Sequence, residues 1–172
     1  MRLNRKFTII FLISLAISIV SLILLSKISS TNNSQDLVIE ESTMVRIYLV
    51  KPDDNGVVGK KIGCGDRLVY VSEEVIGEDL IKATIEKLLE TKQVNNEGLY
   101  SAFENSNLIV EKIKYKDQVA FVYLTGSLEL SGVCDNPRIE NQLRSTVLQF
   151  SNISQVEVFV NGVNLEEILS QK

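Results

Sequence analysis

Cys64 and Cys134, with the charged and amide side chains beside them, are the residues of this 172-residue chain whose types and spacing suit chemistry. Each cysteine is followed within two positions by an aspartate in a glycine-containing loop, Gly63-Cys64-Gly65-Asp66 and Gly132-Val133-Cys134-Asp135. Asp66, Arg67, Asp135, Asn136, Arg138 and Glu140 thus make a polar set that reads in two ways. In the functional reading they form a small binding surface, and a pair of its carboxylates serves as general acid and base on a glycan. In the structural reading Asn136 caps a helix with Pro137 at its first position, Asp135 complements the helix dipole, and the arginines pair with the acids. Capping rules alone account for these residue types at these positions, which favours the structural reading.

Other chemistry finds little support. The chain has no histidine, so the usual general base for a serine or cysteine nucleophile is missing. Two cysteines do not fill a tetrahedral zinc shell, and no metal or cofactor is expected. Gly59, Gly63 and Gly65 are not followed by the Gly-Lys-Ser/Thr of a phosphate loop, and no Gly-x-Ser-x-Gly occurs. For the cysteines themselves, an even count in an exported domain favours a Cys64–Cys134 disulfide over two buried free thiols.

Export is read from the N-terminus. Arg2, Arg5 and Lys6 precede Phe7 to Leu25, a run of 19 residues with no charge, glycine or proline. As a helix it reaches roughly 28 Å, close to the hydrocarbon thickness of a bilayer. A cleaved signal peptide is the competing reading, but its apolar stretch is usually about 7–15 residues long, and Lys27 and Ile28 spoil a cleavage site. Basic residues stay in the cytoplasm, so either reading places the rest outside. The expected order is a basic N-terminus (1–6), a single-pass anchor (7–25), a linker (26–43) and one exported domain (44–172).

Charge divides along the same boundary. Arg2, Arg5, Lys6 and Lys27 stand in the first 27 residues without any acid, leaving 14 basic and 22 acidic residues, formally −8, in the remainder. A domain so acidic lacks the footprint of a nucleic-acid binder, and anionic headgroups repel it.

Hydrophobic periodicity supplies the elements that must position the polar set. Met44 to Val50 alternates with Val45, Ile47 and Leu49 on one face, and the turn residues of Lys51 to Gly56 follow. Arg67 to Val71 is a second strand. Glu78 to Lys92 reads as a helix burying Ile81, Ile85, Leu88 and Leu89. Leu108 to Tyr115 and Val119 to Leu124 form a hairpin around Lys116-Asp117-Gln118. A second helix from Asn136 buries Ile139, Leu143, Val147 and Phe150, then come a strand at Gln155 to Val160 and a short helix at Leu165 to Leu169. The order β-β-α-β-β-α-β predicts an α+β fold, a mostly antiparallel sheet with two amphipathic helices on one face.

Several segments together resemble the GerMN domain family of sporulation and spore germination. They are Val45 to Val50, Cys64-Gly65-Asp66-Arg67-Leu68-Val69, Glu97 to Ala102, Val119 to Leu124, Gly132 to Glu140 and Val156 to Gly162, and the likeness spans about residues 44–170. It implies a non-enzymatic extracytoplasmic domain, similar in fold to ring-building motifs, acting through protein contacts in the envelope. The chain departs from the founding pattern in carrying one domain copy and a plain hydrophobic anchor without a lipoprotein cysteine.

The expectation is therefore a membrane-anchored interaction or scaffold module with unidentified envelope proteins as partners and weak self-association. The alternatives are a small-ligand or sensor domain and a carboxylate-dependent glycan enzyme.

Overall fold

A computed structural model describes residues 41–52, 58–94 and 98–171, together with Ile19. The anchor segment 7–25 (Ile19 apart), the linker up to residue 40, the turn at 53–57 and Glu97 lie outside the described residues. Glu40–Lys172 forms one compact unit.

Strand β1 (Ser42–Lys51) pairs antiparallel with β3 (Arg67–Ile76) over ten residues, Ser42 opposite Ile76 and Lys51 opposite Arg67. Its alternation is as expected: Val45, Ile47 and Leu49 are buried while Met44 and Arg46 are exposed. The short strand β2 (Lys60–Lys61) joins the outer side of β3, and β5 (Leu99–Tyr100) and β4 (Gln93–Val94) continue the sheet beyond β1. Helix α1 (Leu80–Glu90) starts where the Asp79 carboxylate accepts the Lys82 N–H at 3.0 Å. That is an N-cap bond satisfying one donor of the first turn.

A second sheet follows, in the order β6 (Asn107–Lys116), β7 (Val119–Ser127), β8 (Gln155–Val160) and β9 (Val163–Asn164). The β6–β7 turn holds Asp117 at φ 50° and Gln118 at φ 64°. Positive φ at both central residues is the type I′ geometry whose twist suits a two-residue hairpin. Strands β7 and β8 run parallel, with helix α2 (Asp135–Val147) in the crossover between them. The last helix, α3 (Leu165–Ser170), is capped by Asn164 Oδ1, which accepts the Glu166 N–H at 2.8 Å.

The α+β class and the mostly antiparallel pairing are as the sequence indicated, but the strands divide into two sheets rather than one. The reason lies at the free edge of β1. The Arg46 N–H donates to Gln149 Oε1 (2.8 Å), Gln149 Nε2 donates to the Arg46 carbonyl (2.6 Å), and the Tyr48 N–H donates to Thr146 Oγ1 (3.2 Å). Side chains of α2 and of the turn after it thereby occupy the groups that another strand would need, leaving β1 only the Val50–Tyr100 pair with β5 on that side.

Helix α1 packs on β1 and β3 and also on β6, so it joins the two sheets, while α2 packs on β1 and α1, and α3 on β8 and α2. One core runs through all of them. It includes Ile47 and Leu49, Ile85 and Leu88, Val122 and Leu124, Ile139 and Leu143, and Val156 and Val158.

Candidate functional site

The two cysteine loops meet. Cys64 lies in a single 3-10 turn (Gly63–Gly65) just before β3, and Cys134 lies just before α2. They form a disulfide with Cα atoms 5.7 Å apart. The bridge ties the first sheet to the crossover helix of the second, closing 70 positions of chain. In the chain-entropy treatment a loop of that length gives about 4 kcal/mol of stabilisation. Beside it, a Cβ added to Gly63 would stand 2.7 Å from Pro137 Cγ. Only glycine lets the turn come this close to the helix.

Asp66, at the end of the turn, is 2% exposed and accepts a 2.6 Å hydrogen bond from Arg138 Nε. Arg138 Nη1 also donates to Asp135 Oδ1 at 3.2 Å, one helical turn back. The other Asp135 oxygen accepts the Ser131 N–H (2.6 Å) and the Gly132 N–H (3.2 Å), which fixes the loop leading into α2. Tyr100 completes the cluster with its ring 5.9 Å from the Arg138 guanidinium carbon. Desolvation works against the Arg138 charge. The bond to Asp66, the field of Tyr100 and the contact with Asp135 outweigh it and raise the guanidinium's pKa. Burial raises the Tyr100 phenol against the opposing field of Arg138.

Three of the six polar residues singled out from the sequence, Asp66, Asp135 and Arg138, come together; the other three do not join them. Arg67 Nη1 donates to the Gly59 carbonyl at 3.0 Å. Glu140 pairs with Arg144 Nε at 3.2 Å, and Arg144 pairs in turn with Glu166 of α3. Asn136 is the clearest departure. The helix begins at Asp135 with Cys134 in the cap position, so Asn136 is its second residue and Pro137 its third, not cap and first position. Freed from capping, Asn136 Nδ2 donates to the Leu169 carbonyl at 2.6 Å and holds α3 against α2.

Periodicity also passed over Gln142 and Thr146, both fully buried, and Gln149 beyond them. Gln142 Oε1 accepts the Ala102 N–H at 2.8 Å, so the three side chains run along one stripe facing the β1–β5 edge. Their spacing, four and then three residues, is itself a helical stripe and was legible, had polar residues been counted with the core.

Chemically the central cluster is an arginine shared by two carboxylates. Asp66 is almost closed to solvent, and each acid already accepts hydrogen bonds from the protein, which suits an internal tie better than an open acid–base pair. Among the described residues no three acids or cysteines converge as metal ligands.

Fold and cluster together define a small two-sheet α+β domain in which a disulfide and an arginine bridge lock the first sheet to a crossover helix. The chain belongs to the Germane family, described as sporulation and spore germination, whose family model matches residues 46–166. The likeness to GerMN domains carried by the sequence is thus borne out. Among solved structures it is similar to the tandem GerMN domains of the sporulation protein GerM from Bacillus subtilis, with a TM-score of 0.54 and 18% identity. That likeness, which is one of fold, covers 77% of this chain and 43% of that chain, so this chain spans less than half of its length. A Clostridium perfringens protein described as a putative lipoprotein aligns at a TM-score of 0.40 and 15% identity over 73% of this chain and 78% of its own. No curated protein matches the chain.

Proposed function

We propose that this protein is a membrane-tethered, extracytoplasmic interaction module of the bacterial cell envelope, with no catalytic role of its own. The observation that carries the reading is the Cys64–Cys134 disulfide with Arg138 bridging Asp66 and Asp135 beside it. A structural disulfide suits an oxidising compartment, and the basic N-terminus with its apolar run supplies the route there. The polar groups that were candidates for chemistry hold the domain together, which leaves outer surfaces as its means of action. Family membership, and the fold shared with a sporulation protein, support a place in envelope assembly, with sporulation or germination as the process.

Three measurements test this. A reporter active only in the cytoplasm, fused after Lys172, is expected to be silent; strong activity would remove the topology. Photo-crosslinking of the full chain in its own membrane is expected to yield discrete protein adducts. Hydrolysis of muramyl glycans by the purified chain, lost on Asp66→Ala or Asp135→Ala, would replace the scaffold reading with an enzyme.

A further inference from the structure

Strand β6 is an edge of the second sheet, and its two halves are treated differently. From Glu111 onward the ladder is broken by a bulge between Val110 and Lys112, and Lys112, Lys114 and Lys116 follow. Bulges and lysines are devices that keep other strands from adding to an edge. The first half, Asn107 to Val110, has neither, and its outward-facing Ile109 is 64% exposed.

The backbone of this half points outward. Asn161 bonds both main-chain groups of Gly126, at 3.1 Å and 2.8 Å, and its own N–H donates to the Leu124 carbonyl at 2.9 Å. The main chains of Gly126 and Leu124 therefore face the β8 side of β7. Their antiparallel partners on β6 are Leu108 and Val110, whose N–H and C=O groups must face the opposite way, to the open edge. Among the described residues no hydrogen bond reaches these four groups.

A groove of about 360 Å³ lies along this stretch, walled by Ser106 to Val110 on one side and by Glu86, Leu89 and Glu90 of α1 on the other. Leu89, Leu108 and Val110 give it an apolar floor. Glu86 and Glu90 sit over it in the last turns of α1, where the helix dipole is itself negative. Lys92, at its end, is turned to the Glu104 carbonyl at 2.5 Å.

We propose that this groove takes an extended peptide segment of a partner protein, added as a strand alongside Asn107–Val110. The segment carries an aliphatic side chain against Leu89, with lysine or arginine two residues to either side of it, on the same strand face, beside Glu86 and Glu90. Main-chain bonds to Leu108 and Val110 supply the register, and the carboxylates and apolar floor select the sequence. The proposal rests on the interaction-module reading and names its surface and partner class. Four edge residues suit a short segment, so binding is weak singly and is strengthened when the partner shares the membrane.

The test uses the full chain in detergent micelles with the synthetic peptide Lys-Thr-Val-Thr-Lys, whose first, third and fifth side chains share one strand face, and its counterpart Glu-Thr-Val-Thr-Glu. The basic peptide is expected to bind and to protect the Leu108 and Val110 amides from hydrogen exchange. N-methylation of the peptide nitrogens that face the edge should weaken binding about tenfold or more, while methylation of the alternate nitrogens leaves it unchanged. The double variant Glu86→Lys with Glu90→Lys should lose several-fold affinity for the basic peptide and gain it for the acidic one.

Binding that neither methylation pattern weakens would mean charge attraction alone and would overturn the proposal, as would equal loss with both patterns or no binding. Protection of Leu108 and Val110 that rises with protein concentration without peptide would assign the edge to a second copy and also overturn it. Should crosslinking in the membrane find partners on other faces while no peptide binds, the groove falls and the interaction reading stands.

Discussion

Gln149, in the turn after α2, holds both main-chain groups of Arg46 in β1, accepting from its N–H at 2.8 Å and donating to its carbonyl at 2.6 Å. The side-chain amide mimics one residue of a neighbouring strand. Three residues earlier Thr146 does half the same for Tyr48. An edge that would otherwise invite pairing is closed from within the fold.

Replacing Thr146 by valine keeps shape but leaves the fully buried site without an acceptor for the Tyr48 N–H. The expected cost is about 1–3 kcal/mol, read from the midpoint of urea unfolding. Gln149→Ala is more exposed and should cost about 1 kcal/mol. It should also raise concentration-dependent association in sedimentation, because the Arg46 edge opens. An unchanged midpoint in both variants would show that water replaces these bonds without loss.

The disulfide should matter for stability and not for secondary structure. Reduction, or the double variant Cys64→Ser with Cys134→Ser, is expected to lower unfolding free energy by up to about 4 kcal/mol. Far-ultraviolet circular dichroism below the transition should stay the same. The check is paired denaturation curves with and without reductant, and coincident curves would contradict the prediction.

Arg138→Met removes the counter-charge from a carboxylate that is 2% exposed. Loss of one partner of a buried pair usually costs about 3–5 kcal/mol; Arg138 is 20% exposed, so about 2–3 kcal/mol is expected here. The double variant Arg138→Met with Asp66→Asn should recover part of it, since no buried charge is then stranded. A double variant worse than the single one would argue that Asp66 has a second, independent role.

Tyr115 donates to both carboxylate oxygens of Asp79, at 2.8 Å and 3.0 Å, and so reinforces the cap of α1. Burial first, then this hydrogen bond and the Asp79 charge, raise its pKa well above the usual value of 10.0. A raised folded-state pKa contributes stability that is complete below the unfolded value and fades as pH climbs past it. Stability should therefore fall as pH rises from about 9 to about 11, and more steeply than in Tyr115→Phe. Equal slopes for the two proteins would detach Tyr115 from the alkaline transition.

Apolar periodicity made most of the elements legible. The 2-residue repeat of Val45, Ile47 and Leu49 and the helical stripe of Ile139, Leu143 and Val147 are local properties, and these residues are buried as expected. The disulfide was legible too, from compartment and an even cysteine count, and the structure pairs Cys64 with Cys134. The helix start was misjudged by two positions. Asn-Pro is a strong local cap signal, but the disulfide at Cys134 and the Asp135 carboxylate bonding back to Ser131 and Gly132 set the entry two residues earlier.

Sequence alone determined the three helices and the five longer strands, because side-chain spacing decides which face is apolar, whereas the two-residue strands β2, β4, β5 and β9 are too short to show a period. It also determined that Asp66, Asp135 and Arg138 would be candidates for one cluster. Only tertiary structure decided that Arg67, Asn136 and Glu140 leave that cluster, that the strands form two sheets, and that half of β6 stays open. These depend on where main-chain donors and acceptors find partners across long sequence separations, such as Arg46 with Gln149. Hydrophobic spacing is blind to that accounting, since an unpaired N–H looks the same in the sequence as a paired one.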